Sequence, residues 1–146
     1  MPSSILLLNG PNLNMLGLRQ PEIYGRDTLA DVEAMCIEAG KQLGLTVEAR
    51  QSNYEGELVT WIQQARDVFD GIVINPGAYS HTSIAILDAL NAFEGKVVEV
   101  HISDIHAREE FRHHSYVSHR ADHVIVGQGI KGYTMALDEL ANRLLA

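Results

Sequence analysis

Five short apolar runs, separated by stretches of helical period, restrict the fold of this chain more than any other feature of its sequence. They span residues 4–9, 45–51, 71–75, 97–101 and 123–127. Each reads as a near-continuous apolar segment rather than as alternation, the pattern of strands covered on both faces in a parallel sheet. The stretches between them repeat apolar residues at three-to-four spacing. In "TLADVEAMCIEAGKQLG" these are Leu29, Val32, Met35 or Cys36, Ala39 and Leu43, with Thr28 and Asp31 spaced as a capping box and Gly44 as a stop. "SNYEGELVTWIQQARDVFDG" offers Ser52 and Glu55 as a cap and Leu58, Val59, Ile62 and Phe69 as a stripe. "SHTSIAILDALNAFEG" and "KGYTMALDELANRLLA" complete the set. Strands alternating with helices imply right-handed βαβ units. The expectation is an α/β three-layer sandwich over residues 1–146, a single domain with a flavodoxin-like five-stranded parallel sheet ordered 2-1-3-4-5.

Composition narrows the function classes. A net charge of −8 with no dense basic stripe argues against nucleic acid as a partner, although a local pair of arginines can still hold a small anion. No apolar run approaches bilayer length, so no membrane span is expected. "MPSSILLLNG" lacks the basic segment of a signal peptide, and the lone Cys36 fits a reducing compartment. A cytoplasmic location is the resulting expectation.

In a doubly wound sheet the ligand lies outside the carboxyl ends of the strands, where the winding reverses. The loops after strands 1, 3 and 4 should meet there, and they are the chemically rich segments. The first, "NGPNLNMLGLRQPEIYGRDTL", runs nearly twenty residues before the next helix, far beyond the usual 2–6 residues. It is either a working loop carrying Arg19 and Tyr24 or a polar surface loop with both solvated. It has no glycine-rich phosphate fingerprint. The second, "NPGAYSHTS", ends its strand at Asn75, and Ser80 suits a helix cap that would put His81 in the first turn, beside free backbone N–H groups. His81 alone is equally at home on a surface.

The third segment, "VVEVHISDIHAREEFRHHS", sets Glu99 and His101 two apart on one strand face. A carboxylate beside an imidazole orients it and favours its cationic form, as a general acid needs. The same pair also suits a strand end satisfied by solvent. Arg108 and Arg112 are spaced as one helical turn, with Glu109 and Glu110 on a solvated face. Six of the seven histidines fall between 101 and 123, yet no HExxH occurs and no second cysteine exists, so metal is not expected. Cys36, mid-helix beside an apolar stripe, reads as inert core, and Trp61 as core or interface.

Taken together, "NGPNLNMLGLRQPEIYG", "INPGAYSHTSIAILDAL" and "VEVHISDIHAREEFRHHS" resemble type II 3-dehydroquinate dehydratase, over essentially the whole chain. The resemblance implies a hydro-lyase that converts 3-dehydroquinate to 3-dehydroshikimate by trans-elimination of water through an enolate. It implies no cofactor and no metal, and a homo-oligomer, a dodecamer built as a tetramer of trimers. The same reaction serves the shikimate pathway to aromatic amino acids and quinate breakdown. By motif, Tyr24 would remove the C2 proton, Arg19 would hold it as phenolate, and Asn12 would position a water at the enolate. His101 would protonate the departing C1 hydroxyl, with Glu99 orienting it. Asn75, His81, Arg112 and the backbone at Ile102 and Ser103 would hold the ring hydroxyls and carboxylate. Asp88, seven residues after His81 and so on nearly the same helical face, would reach a neighbouring subunit's site. The long first loop would then be a lid that excludes water from the enolate. Asp104 stands where the family more often has Asn.

Overall fold

The computed structural model describes residues 2–18 and 20–145, with the backbone alone at Ile23 and Tyr24. In β1, Ser3–Asn9, alternate side chains leave opposite faces: Ile5 and Leu7 enter one core, Leu6 and Leu8 the other. Both faces are apolar because both are covered, which is why the run shows no alternation. β3, Gly71–Asn75, follows the same rule, and so does β4, Lys96–His101, until the buried Glu99 and His101 interrupt one of its faces. β2, Leu45–Gln51, and β5, His123–Val126, are edge strands. β2 departs from the expected continuous burial, its first four residues alternating buried and exposed, because an edge meets solvent. β5 stops one residue early, where Gly127 turns to φ 75°.

The sheet is parallel throughout and ordered β2-β1-β3-β4-β5, as the sequence implied. α2, Leu29–Gln42, and α5, Lys131–Leu145, cover one face with Val32, Cys36, Tyr133, Leu137 and Leu140. α3, Glu55–Gln64, and α4, Ile84–Asn91, cover the other with Leu58, Ile62, Ile86 and Leu90. Each such fully buried side chain contributes about 1.5–3 kcal/mol from burial, which makes these two layers the main support of the fold.

The helix ends follow local chemistry, with three corrections. Thr28 and Asp31 form the expected reciprocal box, at 3.2 and 3.0 Å. α3 begins after Tyr54 without a side-chain cap, and the Ser52 hydroxyl instead accepts from Tyr54 N at 2.9 Å. That helix ends at Gln64, so Phe69 packs from beyond a turn that carries Asp67 at φ 64°. The cap of α4 is Ser83, whose hydroxyl accepts from Ile86 N at 2.9 Å. Ser80 lies upstream in a 3-10 turn, Gly77–His81, and donates to Gly77 O. His81 therefore precedes the helix and does not sit among its free N–H groups.

Candidate active site

The winding reverses between β1 and β3, and a backbone hydrogen bond joins the two strands just beyond their ends. Gly10 N donates to Asn75 O at 2.8 Å, and a Cβ on Gly10 would stand 2.5 Å from Pro76 O. Only glycine permits that approach. Beside it opens a cleft lined by Asn12, Leu13 and Leu16 from the first loop and by Asn75, Gly77 and His81 from the second. The third loop supplies His101, Ile102, Ser103, Ile105, Arg108 and Arg112.

The described parts of the long first loop are structured. A 3-10 turn, Leu13–Met15, buries Leu13, and α1, Pro21–Tyr24, follows. Asn12 takes a left-handed φ of 69° and donates its backbone N–H to Asn53 Oδ1 at 3.0 Å. Gln51 Nε2 donates to the same oxygen and to Gly10 O, each at 3.1 Å, so the end of β2 braces the loop. Gln20, at φ 47°, is a second left-handed residue. Non-glycine residues held there cluster at functional loops. Arg19 and the Tyr24 side chain lie outside the described residues.

Glu99 and His101 share one face of β4, and both are buried, at 0% and 4% exposure. His101 Nε2 bonds Glu99 Oε2. Ser115 Oγ donates to the same oxygen and Ser118 Oγ to Oε1, both at 2.6 Å. Burial pushes the Glu99 carboxyl up, but the hydrogen bond and charge of His101 and the two serine hydroxyls outweigh it and hold Glu99 below the usual carboxylate range. A strand-end pair satisfied by solvent is thereby excluded. The carboxylate fixes the imidazole and leaves Nδ1 as the ring nitrogen that it does not engage.

His81 Nδ1 lies 2.8 Å from His114 O, so Nδ1–H donates. Burial pushes this imidazole below its ordinary value; the His114 carbonyl opposes that, and charge from His101, Arg112 and Arg108 adds to it. A neutral ring with its proton on Nδ1 offers Nε2 as an acceptor, suited to a ligand hydroxyl.

Arg108 and Arg112 both reach the cleft without the expected helix. The segment forms two 3-10 turns, Ile105–Ala107 and Glu110–Arg112, with Arg108 extended between them. Arg108 Nη1 donates to Ser103 Oγ at 3.3 Å, and Arg112 Nε to Glu109 Oε1 at 3.1 Å. Asp104 Oδ1 accepts from His106 N at 2.9 Å and starts the first turn. Glu109 is thus an ion-pair partner as well as an exposed residue.

Asp88 is exposed on α4 and does not line the cleft. The helical face it was expected to share with His81 does not exist, since His81 precedes α4. Among the described residues no three His, Cys, Asp or Glu side chains are placed to hold a metal. Cys36 is buried, and burial with the charge of Glu33 pushes its thiol up to about 12. Trp61 is half-buried beneath the Arg50 guanidinium, 5.7 Å from its ring. Sequence reading missed Ser115, Ser118, Asn53 and Gln51, whose polar groups follow no period and act on partners distant along the chain.

Residues 3–141 match the family model described as dehydroquinase class II. The chain is 68% identical over 138 residues to the 3-dehydroquinate dehydratase of Streptomyces avermitilis, a match covering 94% of this chain and 87% of that protein. To 3-dehydroquinate dehydratase 2 of Agrobacterium fabrum it is 63% identical, over 96% and 95% of the two chains. The crystal structure of type II dehydroquinase from Propionibacterium acnes superposes with a TM-score of 0.94 at 53% identity, covering 97% of this chain and 98% of that one. A 3-dehydroquinate dehydratase-like protein from Bifidobacterium longum is more distant, with a TM-score of 0.75 at 33% identity, over 99% of both chains. With a family model spanning nearly its whole length and relatives of this identity, the chain belongs to the class II dehydroquinase family.

Proposed function

We infer that this chain is a 3-dehydroquinate dehydratase, a hydro-lyase that removes water across C1 and C2 of its substrate. The observation that carries the reading is the buried Glu99–His101 pair in a cleft whose wall holds Arg108 and Arg112. A proton donor beside an anion-binding wall suits a substrate with a carboxylate and a leaving hydroxyl on one ring carbon.

The C2 proton lies α to the C3 ketone. Its removal breaks the C2–H bond and sends the electron pair into the ketone oxygen as an enolate. Tyr24 takes that proton in this reading, and Arg19 holds it as phenolate, since a free phenol near pKa 10 is a weak base at neutral pH. Asn12 serves the enolate through a water. Collapse of the enolate forms the C1–C2 double bond and expels the C1 hydroxyl, which leaves as water with a proton from His101. Glu99 carries the countercharge and holds the ring. Arg112 pairs with the carboxylate, His81 Nε2 accepts from a ring hydroxyl, and Asn75 with the backbone at Ile102 and Ser103 completes the grip. The first loop closes over the ring, no cofactor enters, and one domain over 1–146 carries the site. Asp88, exposed on α4, is free to serve a neighbour in a trimer within a dodecamer.

The two proton transfers are separable by experiment. Tyr24→Phe keeps the ring and removes the base, so kcat should fall by about 10²–10⁴ with KM little changed. His101→Ala should lose turnover equally but still exchange the C2 proton with solvent, because enolate formation comes first. Deuterium uptake into 3-dehydroquinate, followed by NMR, checks both. Normal exchange in Tyr24→Phe would remove Tyr24 as the base.

A further inference from the structure

Beneath the cleft a buried polar chain joins β1, β3 and α5, and of its side chains only Asn75 has a role above; Tyr133 and Asn9 have none. Tyr133, near the start of α5, is wholly buried. Its hydroxyl donates to Asn9 Oδ1 at 2.6 Å and accepts from Asn75 Nδ2 at 2.9 Å. Asn75 Oδ1 in turn accepts from Gly77 N at 3.1 Å. Asn9 and Asn75 are the last residues of adjacent strands and are paired in register. A tyrosine in the apolar stripe of a helix would serve for its ring alone, were its oxygen not bound on both sides. Phenylalanine would fill the same volume and bury no polar atom.

The direction of this chain is fixed from one end. A backbone N–H can only donate, so Gly77 obliges Asn75 to present its carbonyl oxygen. Asn75 Nδ2 then faces the Tyr133 oxygen, which accepts, and the phenolic proton goes to Asn9 Oδ1. Turning the Asn75 amide over would set N–H against N–H at Gly77. An amide nitrogen carries two hydrogens, and Tyr133 uses one of them. The second is left for the cleft, which Asn75 lines. Asn9 Nδ2 is buried with no partner among the described residues, so Asn9 serves the chain only as its terminal acceptor. Burial drives loss of the phenolic proton well above the ordinary tyrosine range, against the opposing bond from Asn75, and the hydroxyl keeps the proton it donates.

We propose that Tyr133 is a positioning residue of the active site: Gly77 N–H sets which way the Asn75 amide faces, and Tyr133 anchors its Nδ2 so that the second N–H is held towards an acceptor oxygen of the substrate. This rests on the activity and on the Asn75 contact inferred above. Without the phenol oxygen, Asn75 Nδ2 loses a partner in a buried site, and the amide is free to tilt away from the ligand.

Steady-state kinetics on the intact protein tests this. The unmodified chain is assayed first, and absence of 3-dehydroquinate turnover would overturn the activity and this proposal with it. Given turnover, Tyr133→Phe should raise KM about tenfold while kcat changes by less than about threefold. In an Asn75→Ala background the same substitution should leave KM unmoved, because its route to the substrate is gone. Asn9→Ala, which releases the far end of the chain, should raise KM in the same sense but less, and it serves if Tyr133→Phe does not fold. A purely structural tyrosine would lower the melting temperature and leave KM alone. An unchanged KM in both Tyr133→Phe and Asn9→Ala, or an equal rise with and without Asn75, overturns the assignment while leaving the enzyme activity standing.

Discussion

Three donors converge on the Glu99 carboxylate, and a pH dependence of definite sign follows. Against the opposing effect of burial, those bonds and the charge of His101 hold its folded-state pKa below the usual carboxylate range. A depressed carboxyl stabilises the fold fully above its unfolded value, and that contribution is lost as pH falls through the folded one. Thermal unfolding midpoints should therefore be flat in Glu99 terms above about pH 5 and fall below it. Glu99→Gln should flatten part of that acid limb, the rest belonging to other depressed carboxyls such as Asp31 and Asp122. An identical acid limb in Glu99→Gln would show that the carboxylate is not held as described. At this scale the sequence disclosed the pair and hid its support. Glu99 and His101 declare themselves through the two-residue period of a strand. Ser115 and Ser118 act across 16 and 19 residues of chain, where no local rule reaches.

Among the elements, the start of α4 separates two serines that sequence alone does not tell apart. Ser80 and Ser83 both precede an apolar helical stripe, and both are good capping residues. The choice falls to tertiary structure: Ser80 is committed to Gly77 O in the turn that positions His81, and Ser83 takes the cap. Ser83→Ala should therefore lower unfolding free energy by about 1 kcal/mol in a urea titration, with the m-value unchanged. No loss of stability would mean that the hydroxyl does not cap. The stretch from Ile105 to Arg112 escaped sequence reading for a related reason. Its spacing is helical, but Arg108 reaches back to Ser103, and its carbonyl is engaged by His113 Nε2 at 3.0 Å. Side chains hold this loop where a helix would use its backbone.

For the molecule as a whole, strand order and the location of the cleft were legible because β1 and β3 are apolar on both faces and β4 is buried up to the polar pair at its end, and only a central position in a covered parallel sheet demands that. The edges were less legible, since β2 shows alternation and β5 is short. Assembly belongs to this scale too. Asp88 is exposed and does not line its own cleft, so a role for it in catalysis requires a neighbour. If Asp88 serves a neighbour as proposed, light scattering alongside activity over a dilution series should show turnover falling as monomer appears. A fully active monomer would remove Asp88 from any site. The two-faced core also bears on how insertions and deletions fare in such a gene. Loss of one codon within β1 would exchange the places of Ile5 and Leu7 with those of Leu6 and Leu8, and either arrangement is apolar on both faces. The sheet is nearly indifferent to such a frame of packing. Asn9 is not, because the same slip turns its amide to the other side of the sheet, away from Tyr133. In a lineage accumulating such events, the fold would outlast the chemistry.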